Sequence, residues 1–413
     1  MIFELFRVFG RIGLLSFGGP AAQIALMHKE LVEDRPWLSE DEYLKALSFC
    51  MILPGPEAMQ LATYAGWKRM GVIGGLIAGG LFVIPGALVI VLLALAYGTY
   101  GELPLVQSFF MGVKACVVVI VIQALIKIAK RALVRSAHIA IAVGAFIALF
   151  FFAIPFPIVV LTAGIIGAIS KSPNQVTTTA QLPSLRKTVV TVLIGAVIWA
   201  APLVVIALTN HQFLLDIGLF FSTLAVVTFG GAYAVLAYMT QEVVVSYQWL
   251  TTAQMMDALG LAETTPGPLI LVTQFVGMVA GMAKGGIGLA LIAGVLTLWV
   301  TFVPCFIWIF AGAPLIDWLD GRPRLRGALA AITAAVVGVI ANLSLWFALH
   351  VIFAKTTTLH WGAMTVIWPS LTTVQPVAVT LATMSGILLL WKNWSLPLVL
   401  FISAIAGLML GAL

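Results

Sequence analysis

The sequence predicts an all-α polytopic membrane protein of about 13 transmembrane segments, built as two inverted-topology repeats with broken or re-entrant helices. Three observations carry that reading. First, 62% of the 413 residues are hydrophobic and only 9% are charged, against about 45–50% and 25% in soluble domains. Such a chain cannot cover its surface with polar groups in water. Second, apolar runs of membrane-crossing length recur from end to end. Third, the first part of the chain is repeated in the second. A soluble enzyme, a disordered tail and a nucleic-acid binder are excluded together. The net charge of +6 is spread over connections, where it sets topology.

Taken in order, the apolar runs are 2–28, 43–66, 71–98, 104–126, 137–153, 157–170, 188–208, 213–239, 255–281, 286–312, 327–354, 362–391 and 395–413. Runs 137–153 and 157–170 form a short hairpin around Pro155-Phe156-Pro157, with an undersized second arm. Run 362–391 is interrupted by Pro369 and Pro376. The most polar connector, 171–187, is rich in Ser, Thr, Pro and Gln and reads as a flexible linker. Residues 1–170 thus form one repeat, 171–212 a linker with an unpaired helix, and 213–413 the second repeat.

Residues 17–56 align without a gap on 229–268, with 15 identities in 40 positions. Phe17-Gly18-Gly19 matches Phe229-Gly230-Gly231, Glu30 matches Glu242, Trp37-Leu38 matches Trp249-Leu250, and Pro54-Gly55-Pro56 matches Pro266-Gly267-Pro268. Compositional bias aligns Ala with Ala, but not these residues in one register. The unpaired crossing reverses the second repeat. Charges agree: 98–104 holds no Lys or Arg, while the equivalent connection holds Arg322, Arg324 and Arg326. The next connection holds Lys127, Lys130, Arg131 and Arg135 in the first repeat, but only Lys355 in the second. The positive-inside bias swaps sides, as in inverted-repeat transporters. The link 28–45 holds Lys29, Arg35 and Lys45. It falls on the basic side if 2–28 and 43–66 re-enter, and on the other side if both cross.

Backbone breaks inside a bilayer persist only where protein or a watery cavity satisfies the freed groups. The half-helix after each break presents unpaired N–H groups and its positive dipole end. Four breaks brought together by pseudo-twofold symmetry would make an anion site from Phe17, Gly18, Gly19, Pro20, Pro54, Gly55, Pro56, Phe229, Gly230, Gly231, Pro266, Gly267 and Pro268, with Gln23 and Gln60 beside them. The competing reading is close helix packing, which fits Gly74-Gly75 and Gly79-Gly80 better. Glu57 follows one break and Glu263 precedes another; either serves as a coupling carboxylate or a structural cap. Thr264 and Thr265 offer hydroxyl donors to an oxyanion or to freed backbone. Glu30 and Glu242 lie at segment ends. Arg35 can pair with Glu30 or with an anion. Lys114, deep in its run, is the most isolated intramembrane cation and calls for an anion or a carboxylate. Gln274 lies just past the second Pro-Gly-Pro, two residues out of register with Gln60.

No catalytic, metal or cofactor site is expected. Cys50, Cys116 and Cys305 lie far apart, the five histidines form no ligand cluster, and there is no phosphate-binding loop. The first apolar stretch carries Arg7 and Arg11 and does not read as a cleaved signal peptide.

In these stretches the chain resembles the chromate ion transporter (CHR) family, long two-domain form. They are FGGPAAQIALMHKELVEDRPWLSEDEYLKAL at 17–47, LPGPEAMQLATYAG at 53–66, TFGGAYAVLAYMTQE at 228–242 and GLAETTPGPLILVTQFVG at 260–277. The resemblance implies a multi-pass protein of the bacterial inner membrane. It implies export of chromate driven by the proton motive force, with sulfate as a competing analogue. Chromate and sulfate share shape, charge and four acceptor oxygens, so backbone N–H groups and hydroxyls can hold either. An importer or exchanger of sulfate or another oxyanion, and an anion channel, are the alternative readings; a membrane enzyme lacks a cofactor motif. A homodimer is compatible with the sequence.

Overall fold

The computed structural model describes residues 1–17, 19–170, 185–229, 232–316, 322–362 and 364–411. Gly18, Gly230, Gly231 and linker residues 171–184 lie outside the described residues. In chain order the helices are α1 (Ile2–Leu15), α2 (Gly19–His28), α3 (Glu40–Cys50), α4 (Glu57–Tyr100), α5 (Pro104–Ala132), α6 (Ser136–Phe152), α7 (Phe156–Ile169), α8 (Leu185–Leu208), α9 (Gln212–Val227), α10 (Ala232–Gln241), α11 (Thr252–Thr264), α12 (Val272–Gly312), α13 (Pro323–Ile352), α14 (Pro376–Gly386) and α15 (Leu396–Gly411). Among the described residues, five segments are long and apolar enough to cross a membrane: Glu57–Tyr100, Pro104–Ala132, Arg186–Leu208, Leu269–Leu315 and Pro323–Ile352. Five apolar helices of 10–17 residues accompany them. The chain is an all-α membrane protein with one small exception.

That exception straddles the start of the expected run 362–391. Thr356–Trp361 (β1) and Met364–Pro369 (β2) pair antiparallel, with Trp361 opposite Met364 at the turn. Thr, Val, Ile and Trp favour an extended backbone, and Gly362 supplies the positive φ of the turn (+59°). The helix begins only at Pro376, where a proline is tolerated because the first-turn N–H has no helical acceptor.

Helices α4 and α12 each fold into two arms. In α4, non-helical Met70 and Gly71 (φ +62°) separate 57–69 from 72–100; in α12, Gly285 and Gly286 (φ +73°) separate 272–284 from 287–312. The arms run antiparallel, because Gly66 faces Gly74 and Ala78, and Gly281 faces Ala290. A Cβ on Gly66 would lie 2.5 Å from that of Ala78, so the arms touch backbone to backbone. The first arm of α4 spans only about 20 Å, short of the roughly 30 Å hydrocarbon core. Gly74 and Gly79 are thus packing residues, in line with the sequence reading.

The chain divides into two compact units that cut across the repeats. One comprises Met1–Gly98, Asn174–Ala232 and Leu261–Pro323; the other comprises Thr99–Pro173, Tyr233–Gly260 and Arg324–Leu413. In the first, α8 is fastened to the second arm of α12 by reciprocal bonds: the indole N–H of Trp199 donates to Val300 O (3.0 Å) and that of Trp299 to Ile198 O (3.1 Å). In the second, α5 packs on α14 and α15, with Gly112 set against the backbone of Ser403.

Candidate functional site

The first unit carries both Pro-Gly-Pro breaks. In its N-terminal part the helices fold back in pairs. Along a continuous rod, Arg11 and Glu30 would be about 28 Å apart; instead their side chains form an ion pair at 3.2 Å. The chain therefore reverses between α1 and α2. Tyr43 Oη donates to Ile24 O (2.6 Å) and His28 Nε2 meets Glu40 (2.8 Å), so α3 lies back along α2. Lys68 pairs with Glu42 at 3.2 Å, so the first arm of α4 lies back along α3. The result is two hairpins with their bases together. Their tips fall beyond Ser16 and Phe17 in one and at the Pro-Gly-Pro break in the other.

The bases are built from local sequence. Ser39 caps α3 in a reciprocal box with Glu42. The backbone N–H of Ser39 and the ammonium of Lys68 hold the Glu42 carboxyl below its usual range. Glu30 is buried and clamped by Arg35 and Arg11. The bends repeat at equivalent positions: Trp37 N–H donates to Leu31 O (3.0 Å), and Trp249 N–H to Val243 O (2.9 Å). Thr251 and Gln254 rebuild the cap seen at Ser39 and Glu42. The arginine clamp is not repeated, because Thr223 and Tyr247 stand where Arg11 and Arg35 stand.

At the tips the two repeats are stitched crosswise. Gly55 N–H donates to Thr228 O (3.2 Å), and Gly267 N–H donates to Ser16 O (2.9 Å). Ser16 and Thr228 are equivalent in the repeat, as are Gly55 and Gly267. One bond is therefore the symmetry mate of the other. Gly55 (φ +106°) and Gly267 (φ +89°) adopt backbone conformations that favour glycine. The hydroxyls of Ser16 and Thr228 each turn back to cap their own helix, on Ile12 O and Leu224 O. Gln23 is buried and spans the stitch: its amide donates to Gly267 O (2.7 Å) and Ser16 O (3.2 Å). Gln60 Nε2 donates to Pro54 O (2.7 Å), while the buried Oε1 atoms of Gln60 and Gln274 have no protein hydrogen-bond partner.

The structure thus holds Gln23 and Gly267 at one stitch, and Pro54, Gly55 and Gln60 at the other. Pro56 and Pro268 are buried beside them, and Pro266 packs its carbonyl on Gly86 of α4. Gly19 and Pro20 open α2 and Glu57 opens α4, each at a helix start where N–H groups lack acceptors. Phe17 is exposed and Phe229 half-buried. The expectation of Phe-Gly-Gly donors at Gly18, Gly230 and Gly231 falls outside the described residues. Thr264 and Thr265 spend their hydroxyls on Leu261 O and Ala262 O, the backbone-satisfying alternative. Glu263 is buried at the end of α11, and Glu242 half-buried after α10. Arg35 is taken by Glu30.

Lys114, in the second unit, meets a carboxylate that sequence reading did not single out. Its Nζ lies 3.0 Å from Asp257 Oδ1, with side-chain exposures of 14% and 1%. An isolated intramembrane lysine demands such a partner, and Asp257 is the acidic residue inside the otherwise apolar start of run 255–281. Gly86 and Gln23 were also not legible as cross-repeat contacts, since nothing local marks them.

Among the tip residues no lysine or arginine appears. What they offer a ligand is the N–H groups and partial positive charge of two helix starts, the amide oxygens of Gln60 and Gln274, and a carboxylate.

The profile of the chromate transporter family matches residues 3–168 and 215–408. The chain is 27% identical to the chromate transport protein of Cupriavidus metallidurans, covering 82% of this chain and 80% of that one. It is 29% identical to the probable chromate transport protein of Synechococcus elongatus, over 82% of each. It is also 29% identical to the chromate transport protein of Pseudomonas aeruginosa, over 82% and 79%. No solved structure matches the chain.

Proposed function

The chain belongs to the chromate transporter family, and from that premise we propose that it is a secondary transporter exporting chromate across the bacterial inner membrane, driven by the proton motive force. The observation that carries the proposal is the crosswise pair Gly55–Thr228 and Gly267–Ser16. Each bond joins a break of one repeat to the other repeat, and alternating-access transporters bind substrate where repeats meet. The first turns of α2 and α4 supply N–H donors and dipole ends to the dianion. Neutral donors hold the anion without a permanent counter-charge, which favours release as well as capture. In this reading Glu57, the first residue of α4, exchanges a proton with the site. Sulfate, of the same shape and charge, competes.

Everted membrane vesicles test this. Chromate uptake into them should saturate, fall with sulfate, and collapse on adding an uncoupler. Absence of uptake refutes export. Non-saturating flux indifferent to the uncoupler indicates a channel instead.

A further inference from the structure

The second unit holds a cavity of about 280 Å³ whose wall includes Lys114, His350, Gln107, Gln375 and Ser108. No acidic side chain lines it, and the remaining wall is apolar. Asp257 stands behind Lys114, holding its ammonium at 3.0 Å. An ammonium carries three N–H donors and a single carboxylate oxygen does not exhaust them. His350 Nδ1 meets Trp346 O at 2.8 Å. A carbonyl only accepts, so that nitrogen carries the proton, and Nε2 faces the Thr356 hydroxyl at 3.3 Å. The Gln107 amide donates one bond, to Gly101 O at 2.6 Å, and keeps its second N–H. One cation, amide donors and no carboxylate in an apolar wall select a small anion. A larger cavity, about 640 Å³ in the first unit, is lined by aliphatic and aromatic side chains with Thr191 as its one hydroxyl, and offers a dianion almost nothing.

We propose that this cavity is a second binding site for a small tetrahedral oxyanion, with Lys114 as its cation and Gln107 and Gln375 as neutral donors. The inference rests on the oxyanion reading of the chain. It adds a site apart from the stitched tips, so that one anion waits in each unit during transport.

Ala253 lines the same cavity, is exposed, and lies in the first turn of α11. The three native cysteines are buried, so Ala253→Cys gives a single reactive thiol. Molybdate is the probe, being a tetrahedral dianion that does not oxidise thiols. In lipid-free detergent, molybdate at ten times its Kd should slow labelling of Ala253→Cys by about tenfold. The protection should vanish in Lys114→Met/Asp257→Leu, which removes the cation without stranding a buried charge. Unchanged labelling with molybdate, or protection that survives the double variant, overturns the proposal. So does protection that appears only with phosphatidylglycerol vesicles, which would assign the cavity to a lipid phosphate. If vesicles take up chromate while Ala253→Cys is unprotected, the second site alone fails. If neither occurs, the transport reading fails with it.

Discussion

Gly55→Ala probes the stitch most directly. Gly55 sits at φ +106°, where an L-residue pays about 1–3 kcal/mol. An added Cβ would lie 2.9 Å from Cys305 Sγ and 3.3 Å from Gln60 Nε2. Cys305 is buried in the second arm of α12, and Gln60 is fixed on Pro54 O, so neither yields freely. Overpacking of this kind costs about 1–3 kcal/mol. If the tip shifts to relieve it, the bond from Gly55 N–H to Thr228 O is lost, worth about 1 kcal/mol. The substitution should therefore destabilise the protein by about 2–6 kcal/mol and abolish uptake in everted vesicles. The assay is thermal unfolding of purified protein beside vesicle transport. Cys305→Ala separates the contributions. In its background Gly55→Ala should recover the overpacking part but not the backbone part. Wild-type stability and uptake in Gly55→Ala, or no recovery when the sulfur is removed, refutes the geometry argued for the tip.

Asp257→Asn should cost about 3–5 kcal/mol, because it leaves the Lys114 ammonium without its carboxylate, while Lys114→Met/Asp257→Leu should regain most of that; unfolding midpoints in detergent decide it. Ser39→Ala should loosen the start of α3 by about 1 kcal/mol, read as faster amide exchange at residues 40–42. The Glu42 carboxyl is held below its ordinary value of 4.5. Its contribution is therefore complete above that pH and fades as pH falls through the lower folded value; Glu42→Gln should flatten this acid dependence of exchange. Cysteines placed at Lys130 and Arg324 should both label from the cytoplasmic side, and labelling from opposite sides would defeat the inverted arrangement.

The repeat was legible because Trp, Glu, Gly-Gly and Pro-Gly-Pro occur too rarely to coincide by composition. Their doubling marks both Pro-Gly-Pro breaks. The Ser39 and Glu42 cap is likewise written locally. What sequence left unread is the partner of each local signal. Pro54-Gly55-Pro56 announces a break but not that Thr228 O receives its N–H. Lys114 announces a missing carboxylate, yet Asp257 lies 143 positions away, with nothing local to join the two. The strand pair 356–369 was hidden for a different reason. Val366, Ile367 and Trp368 of its second strand are apolar enough to extend the following helix on a hydropathy reading, and only the alternation and Gly362 betray it.

The crossed bonds between Gly55 and Thr228, and between Gly267 and Ser16, have a consequence for how the chain is assembled. Each half borrows a carbonyl from the other to finish its own fold. Severed in the linker and synthesised alone, either half would bear a raw end in the lipid. Supplied together as two polypeptides, they should knit into a working whole.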